Sequence, residues 1–336
     1  MTHDTPVCLP IRSSPFIKWM AGTAVLLAAT ASIAADFPVK PVRIVVPYPP
    51  GGSVDLVARM LSADLGKAWG QQVIVDNHPG GASGSIGTEL AKRAAPDGST
   101  LLVNTLPFVT NQFFYSTMPY DPIADFVPIS VGAAVAAVVV VHPSLPVHTV
   151  AELVSFAKSK PAGAINYASS GPATNPYIAS ELLNYLGKIN LAPVHYKGGG
   201  PAMMSTISGE TQLFVAPAIS YAMPQVEAGR LRALGVTSLM RSPLVPQLPT
   251  LSESGLPGYE FLTWHVFAAP AATPRMLVNQ IHDAMRASSG APGAAQRWRE
   301  RGVEVFTRTP EESVAYLKQE IQKWRVVITE RGMKAE

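Results

Sequence analysis

VRIVVPYPPGGSVDLVAR, residues 42–59, carries the logic of the whole chain. VRIVVPY (Val42–Tyr48) is an apolar, β-branched run that reads as a buried strand. PPGGS (49–53) breaks it, and Ser53 opens a helix that continues SVDLVARMLSADLGKAWG. Within that helix Val57, Met60, Leu61, Asp64 and Leu65 share one face, apolar at every position but Asp64. Strand, small-residue loop, helix is the repeating unit of an α/β layer, and it predicts parallel sheets.

The unit recurs. QQVIVDN (71–77) leads through PGGASGS (79–85) into a helix SIGTELAKRAA, and PDGSTLLVNT (96–105) gives a turn and a third strand. The valine run from Val131 to Val141 predicts a central strand. HTVAELVSFAKSK (148–160) predicts a helix with Thr149 as N-cap and Glu152 closing a capping box. INYASS (165–170) runs into SSGPATN and the helix NPYIASELLNYLG, with Pro176 in its first turn. APVHYKGGGPAMMSTISG repeats the scheme with Pro201 at N1, followed by TQLFVAP, AMPQVEAGR and LRALGVTS. FLTWHVFAAP (261–270) reads as a strand. Two helices follow, one capped by Thr273 with Pro274 at N1, the other by Thr309 with Pro310 at N1 and Glu312 completing a capping box. No fixed short period is present, so this is no solenoid.

The loops PPGGS (49–53), PGGASGS (79–85), SSGPATN (169–175) and KGGGP (197–201) each place free backbone N–H groups at the positive end of a helix. Ser53, Ser83, Ser85, Ser169, Ser170 and Thr174 add hydroxyls, and glycine admits close approach to the backbone. In open α/β sheets such loops gather at the carboxyl ends of the strands, where ligands bind. Convergent loops of this kind suit a carboxylate or another small anion; the plain alternative is ordinary turns with ordinary caps. Asp55, in the first turn after PPGGS, either caps the helix dipole or orients the loop or a water.

Composition narrows the classes. The 336 residues are 47% hydrophobic and 15% charged, with net charge +3, which describes a folded chain long enough for two cores. No basic stripe with interleaved aromatics is present, so no nucleic acid is expected. GxxxxGK[ST] is absent, GASGSIG is not GxGxxG, and Lys197 is the only cation in the four loops, which argues against phosphate cofactors. GxSxG and HExxH are missing; His142, His148 and His195 neighbour prolines or turns. No catalytic residue, metal or cofactor is therefore expected. The competing enzyme reading is an exported hydrolase or isomerase using Asp55 or His195.

Residues 1–35 read as a signal peptide. Arg12 and Lys18 precede WMAGTAVLLAATASIAA, and Ser32 and Ala34 mark cleavage near Ala34/Ala35; the alternative is a membrane anchor. Cys8, the only cysteine, lies upstream of cleavage, so the mature chain is expected to hold no thiol or disulfide. Periplasmic localisation follows.

In order, VRIVVPYPPGGSVDLVAR, NHPGGASGSIG, AAPDGSTLL, PYDPIADFVPIS, VHPSLPVHTVAELVSFAKSKP, INYASSG, HYKGGGPAM, AGRLRALGVTS and PTLSESGLPGYE resemble the Bug-type receptors. These are the extracytoplasmic substrate-binding proteins of tripartite tricarboxylate transporters, and the similarity runs from Phe37 to the C-terminus. The resemblance implies a type II periplasmic-binding-protein fold, two α/β domains joined by two crossing strands that close on a ligand by a hinge. Domain 1 would hold 36–136 and 262–336 and domain 2 would hold 137–261, with the valine run and FLTWHVF as the crossings. It further implies a small organic carboxylate, or an aromatic or amide relative, delivered by a monomeric receptor to membrane permease subunits; a sensory receptor for a signalling partner is the alternative. Carried onto this chain, the ligand-binding residues are Tyr48, Gly51, Gly52, Ser53, Asp55, Ala82, Ser83 and Thr105 from domain 1. Domain 2 supplies Ser169, Ser170, Thr174, Tyr177 and Pro217. The chain departs from the family pattern at Ala173 and Tyr177, where the family has glycine and histidine, and at Ala216, Pro217 and Ala218, where it has Phe-Asp-Asn. Its 79–87 loop is also longer. Loss of that aspartate removes a partner for a ligand ammonium.

Overall fold

The computed structural model describes Met1 and residues 37–81, 83–305 and 307–334. The expected signal peptide with Cys8, and Ala82 of the expected site, lie outside the described residues. Lys40–Glu336 form one compact unit. In chain order its elements are β1 (Val42–Val46), α1 (Ser53–Trp69), β2 (Val73–Asn77), α2 (Ser85–Lys92), β3 (Thr100–Asn104), α3 (Pro107–Phe114), β4 (Phe126–Ala136), β5 (Val138–Val141), α4 (Val150–Lys158), β6 (Asn166–Ser169) and α5 (Asn175–Gly187). Then come β7 (Ala192–His195), α6 (Gly199–Ile207), β8 (Leu213–Ala216), α7 (Ile219–Glu227), β9 (Arg232–Val236), β10 (Leu262–Pro270), α8 (Arg275–Gly290), α9 (Pro292–Glu300), β11 (Val303–Val305) and α10 (Pro310–Arg331).

The strands form two sheets, ordered β11-β4-β10-β3-β1-β2 and β7-β6-β8-β5-β9. The predicted parallel pairing holds for β1 with β2 and β3, and for β6 with β7 and β8. Each sheet is nevertheless mixed, because β10 runs antiparallel to β3 and β4, and β5 runs antiparallel to β8 and β9. The valine run explains why. It is two strands rather than one: β4 pairs in the first sheet, Ala137 intervenes, and Val138–Val141 pair in the second. Val138–Val141 are wholly buried, as a central strand covered on both faces must be.

The return crossing meets the first at the same level. Ala137 N–H donates to Thr237 Oγ1 (2.9 Å), Thr237 N–H returns to the Ala137 carbonyl (3.0 Å), and Phe261 N–H reaches the Thr237 carbonyl (2.9 Å). From Phe261 the chain runs directly into β10.

The helix faces follow their patterns. Val57, Leu61 and Leu65 of α1 are buried, and the polar exception Asp64 accepts the Trp298 indole N–H (2.8 Å) and an Arg297 guanidinium. Helix α3 is absent from the sequence reading because Pro107–Asn111 and Phe114 are all buried, leaving no amphipathic period; α9 and β11 are likewise short additions. Two predicted starts shift by a residue or two. Helix α8 begins at Arg275 with Pro274 as N-cap, leaving the buried Thr273 hydroxyl without a partner. Helix α6 begins at Gly199, so Pro201 sits later in its first turn, where the missing N–H still costs no helical bond. Among the described residues no helix is long and apolar enough to cross a membrane.

Candidate functional site

Strands β1, β2 and β3 end together, and their loops are locked to one another by asparagines. Tyr48, just past β1, donates its hydroxyl to Asn104 Oδ1 (3.0 Å) at the end of β3, with the Ser83 carbonyl at 3.3 Å. Asn104 is 1% exposed; its Oδ1 also takes the Thr105 N–H (2.8 Å), and its Nδ2 donates to Thr88 Oγ1 (2.9 Å). Thr88 in turn bonds the Gly84 carbonyl (2.8 Å). Asn77, ending β2, donates to the Tyr48 carbonyl (3.1 Å) and to Asp55 Oδ1 (3.0 Å). Burial keeps the Tyr48 phenol well above its ordinary pKa.

Asp55 is 4% exposed. Its Oδ2 accepts the Gly51 N–H (3.0 Å) and Arg59 Nε (2.9 Å). Burial alone would raise this carboxyl, but Arg59, the Gly51 N–H and Asn77 outweigh it and hold it below the usual range. Both oxygens are engaged, by groups of the first loop, of α1 and of β2. A carboxylate so held is a poor proton acceptor.

The second loop needs its glycines where it meets the first. A Cβ on Gly87 would lie 2.7 Å from the His78 carbonyl and 2.8 Å from Pro47 Cα, so α2 seats directly on the β1 loop only because residue 87 has no side chain. Ser83 takes the left-handed region (φ 42°), and its Oγ, shielded from solvent, has no protein partner.

The first lobe is the one built on the β11-β4-β10-β3-β1-β2 sheet, the second the one built on β7-β6-β8-β5-β9. In the second lobe the expected hydroxyls shape their own loop. Ser169 Oγ donates to the Gly171 carbonyl (2.8 Å) and lies 3.2 Å from its N–H, while Thr174 Oγ1 donates to the same carbonyl (2.7 Å). Ser170, in this loop, and Ser53, at the start of α1 in the first lobe, are half-buried. Ala173 adopts φ 55° with no exposed surface, the left-handed conformation that favours glycine. Tyr177 is 6% exposed, its ring 5.2 Å from that of His195 and 6.1 Å from Phe114 across in the first lobe. Pro217 follows β8, and beyond it Tyr221 brings its hydroxyl within 3.6 Å of a Cβ position on Gly199. The KGGGP and 217–221 segments therefore adjoin.

Asn175, the first residue of α5, joins the lobes. Its Nδ2 approaches Thr105 Oγ1 (3.4 Å) and Thr263 Oγ1 (3.5 Å), and its Oδ1 is buried without a partner. Asn77, Asn104, Asn175 and Tyr221 were missed from the sequence. An asparagine ending an apolar strand was the available signal for the first two.

Helices α1, α2, α5, α6 and α7 start at Gly52, Gly84, Thr174, Gly198 and Ala218, and none of these gives a side-chain cap. Helices α3, α8 and α9 also start without a side-chain cap, whereas α4 and α10 are capped by Thr149 and Thr309. Among α1, α2, α5, α6 and α7, the Ile86 and Tyr221 N–H groups bond the Gly80 and Ala218 carbonyls. The other first-turn N–H groups of this set, each helix end worth about half a positive charge, meet no capping side chain. A groove of about 420 Å³ elsewhere, beside Arg275 and Arg286, pairs those arginines with Glu311 and Asp283 and presents no spare charge.

Two α/β lobes joined by crossing strands, with uncapped helix ends gathered where the strands finish, define a cleft-type solute-binding protein. The model of the tripartite tricarboxylate transporter family receptor matches residues 57–333, and the chain belongs to that family. It is 31% identical over 320 residues to the protein BugT of Bordetella pertussis, covering 92% of this chain and 96% of that one. Among solved structures it resembles R. palustris Rpa4515 with adipate at 32% identity and TM-score 0.82, covering 88% of this chain and 99% of that one. It also resembles MatC of Rhodopseudomonas palustris with bound malate at 29% identity and TM-score 0.77, covering 87% and 100%.

Proposed function

We propose that this receptor is exported to the periplasm, captures a small organic carboxylate between its lobes and delivers it, as a monomer and without chemistry, to the permease of a tripartite transporter. The lobes are residues 36–136 with 262–336, and residues 137–261. The observation that carries this reading is the set of helices in both lobes that follow parallel strands and start without a side-chain cap. Fixed dipoles of this kind hold a carboxylate without a side-chain cation. The adipate and malate bound by related proteins support the ligand class.

Backbone at Gly51 and Gly52, with Tyr48, Ser53, Ser83 and Thr105, forms one wall. Asp55 contributes by holding Gly51 in place. Ser169, Ser170, Thr174, Tyr177 and Pro217 form the other. Pro217, standing where an aspartate would face an ammonium, turns preference away from amino acids. A thermal-shift screen of the mature protein over mono-, di- and tricarboxylates with amino acids as controls tests this. At a hundredfold excess over Kd the expected stabilisation is about 2.7 kcal/mol. No shift with any carboxylate, or a shift with amino acids alone, overturns the reading.

A further inference from the structure

Helix α10, the last of the chain, is fastened to both lobes. Near its start Ser313 Oγ accepts the Val131 N–H of β4 (2.8 Å). At its middle Glu320 Oε2 accepts the indole N–H groups of Trp264, on the crossing strand β10, and of Trp324 (2.9 Å each). Its final turn leaves this lobe. Arg331 Nε and Nη2 both donate to Glu181 Oε2 (3.1 Å each), and Glu330 Oε2 accepts the Tyr185 hydroxyl (2.7 Å). Glu181 and Tyr185 belong to α5.

Glu181 is the better anchored of the two. Its other oxygen accepts the Tyr167 hydroxyl from β6 (2.7 Å) and Asn184 Nδ2 (3.0 Å). Its side chain is 8% exposed and that of Arg331 24%, so this is an enclosed pair whose halves depend on each other. The tie also lies on the right helix face. Glu181 stands one turn beyond Tyr177, on the same side of α5, and the first turn of α5 is where Asn175 meets Thr105 and Thr263.

We propose that Arg331 is a positioning residue for ligand capture. By gripping Glu181 it straps α5 from behind and holds its N-terminal turn against the first lobe, so the pair forms as the lobes close and breaks as they open. This rests on the interlobe cleft being the ligand site. A ligand then closes a receptor already biased toward closure, and loss of the strap lowers the competent population and the apparent affinity together.

The test uses Arg331→Met in the mature protein, where Met204→Cys on α6 and Met276→Cys on α8, both exposed, accept a distance-reporting label pair. The expected result is a longer interlobe distance without ligand, and affinity for the carboxylate found in the screen weakened about tenfold through faster dissociation. Arg331→Lys, which keeps the charge but not the fork, should restore part of both. Unchanged distance and affinity, with or without a lower melting temperature, would make the pair merely structural and overturn the proposal. A lengthened distance in a protein that binds no carboxylate would leave the strap standing and remove the ligand reading. Should Arg331→Met not fold, Tyr185→Phe serves in its place, with a smaller shift in the same direction expected and no shift overturning the strap.

Discussion

His265 lies on β10, wholly enclosed, with Nδ1 3.2 Å from the Ala133 carbonyl and no partner for Nε2. The ring is therefore neutral, with its proton on Nδ1. Burial pulls its pKa from 6.5 down to about 4, against the opposing hydrogen bond to Ala133. As pH falls below 6.5 the unfolded chain takes up this proton and the folded one does not, so stability is full above 6.5 and declines down to about 4. The gap between these values, at about 1.4 kcal/mol per pH unit, is worth ~3 kcal/mol in all, of which ~2 kcal/mol is lost by about pH 5. Urea denaturation at about pH 7.5 and about pH 5 reads this directly. His265→Gln keeps a donor for Ala133 but does not titrate, so its stability should change less than the wild type's by ~2 kcal/mol over that range. Histidines shared by both proteins cancel in the comparison. The carboxylates held low act further down: Asp97, bound by Lys40 and Ser99, has its pKa lowered to about 2. An equal loss in both proteins would refute the reasoning.

Ser83→Ala should change stability and binding in opposite senses. Removing a buried hydroxyl without a partner should leave the free protein as stable or up to ~1 kcal/mol more so, while calorimetric affinity for the carboxylate falls severalfold. Ala173→Gly releases the left-handed strain at φ 55°; set against glycine's greater entropy loss, the gain should be up to ~1 kcal/mol, seen as a higher melting temperature. Asn104→Ala should cost ~2 kcal/mol or more, because Tyr48 and Thr105 lose their shared acceptor, and denaturant titration should show it together with weaker binding. Ser53→Ala combined with Thr174→Ala should weaken binding with the fold retained by circular dichroism, and unchanged affinity would place the ligand elsewhere.

The alternation of elements and most helix starts were legible because they are local. Thr309 and Glu312 form the predicted capping box, each donating its N–H to the other's side chain (2.8 and 3.2 Å). Glu152 does reach back, but to the His148 N–H (2.6 Å) rather than to that of Thr149. What stayed hidden depends on partners distant in sequence. Ala137 looks like any alanine in a valine run, and only its bonds to Thr237 show that the chain changes sheets there. Asn104 and Asn175 read as strand-end and helix-start polar residues until Tyr48, Thr88, Thr105 and Thr263 are placed around them. Tyr177 was expected at the ligand, yet much of its ring packs between Phe114 and His195, a contact across the lobes that no window of sequence contains.

The uncapped helices set a limit on how this protein can be improved. Serine or aspartate at Gly52 or Ala218, where the backbone before the helix is extended, would be a routine stabilising substitution, worth about 1 kcal/mol at Ala218 and a few tenths of that at Gly52. Here the new side chain would take the N–H groups that the proposed ligand needs, competing with it from within the same molecule. A campaign selecting for heat resistance alone would therefore drift toward a sturdier protein with a weaker hold on the proposed ligand.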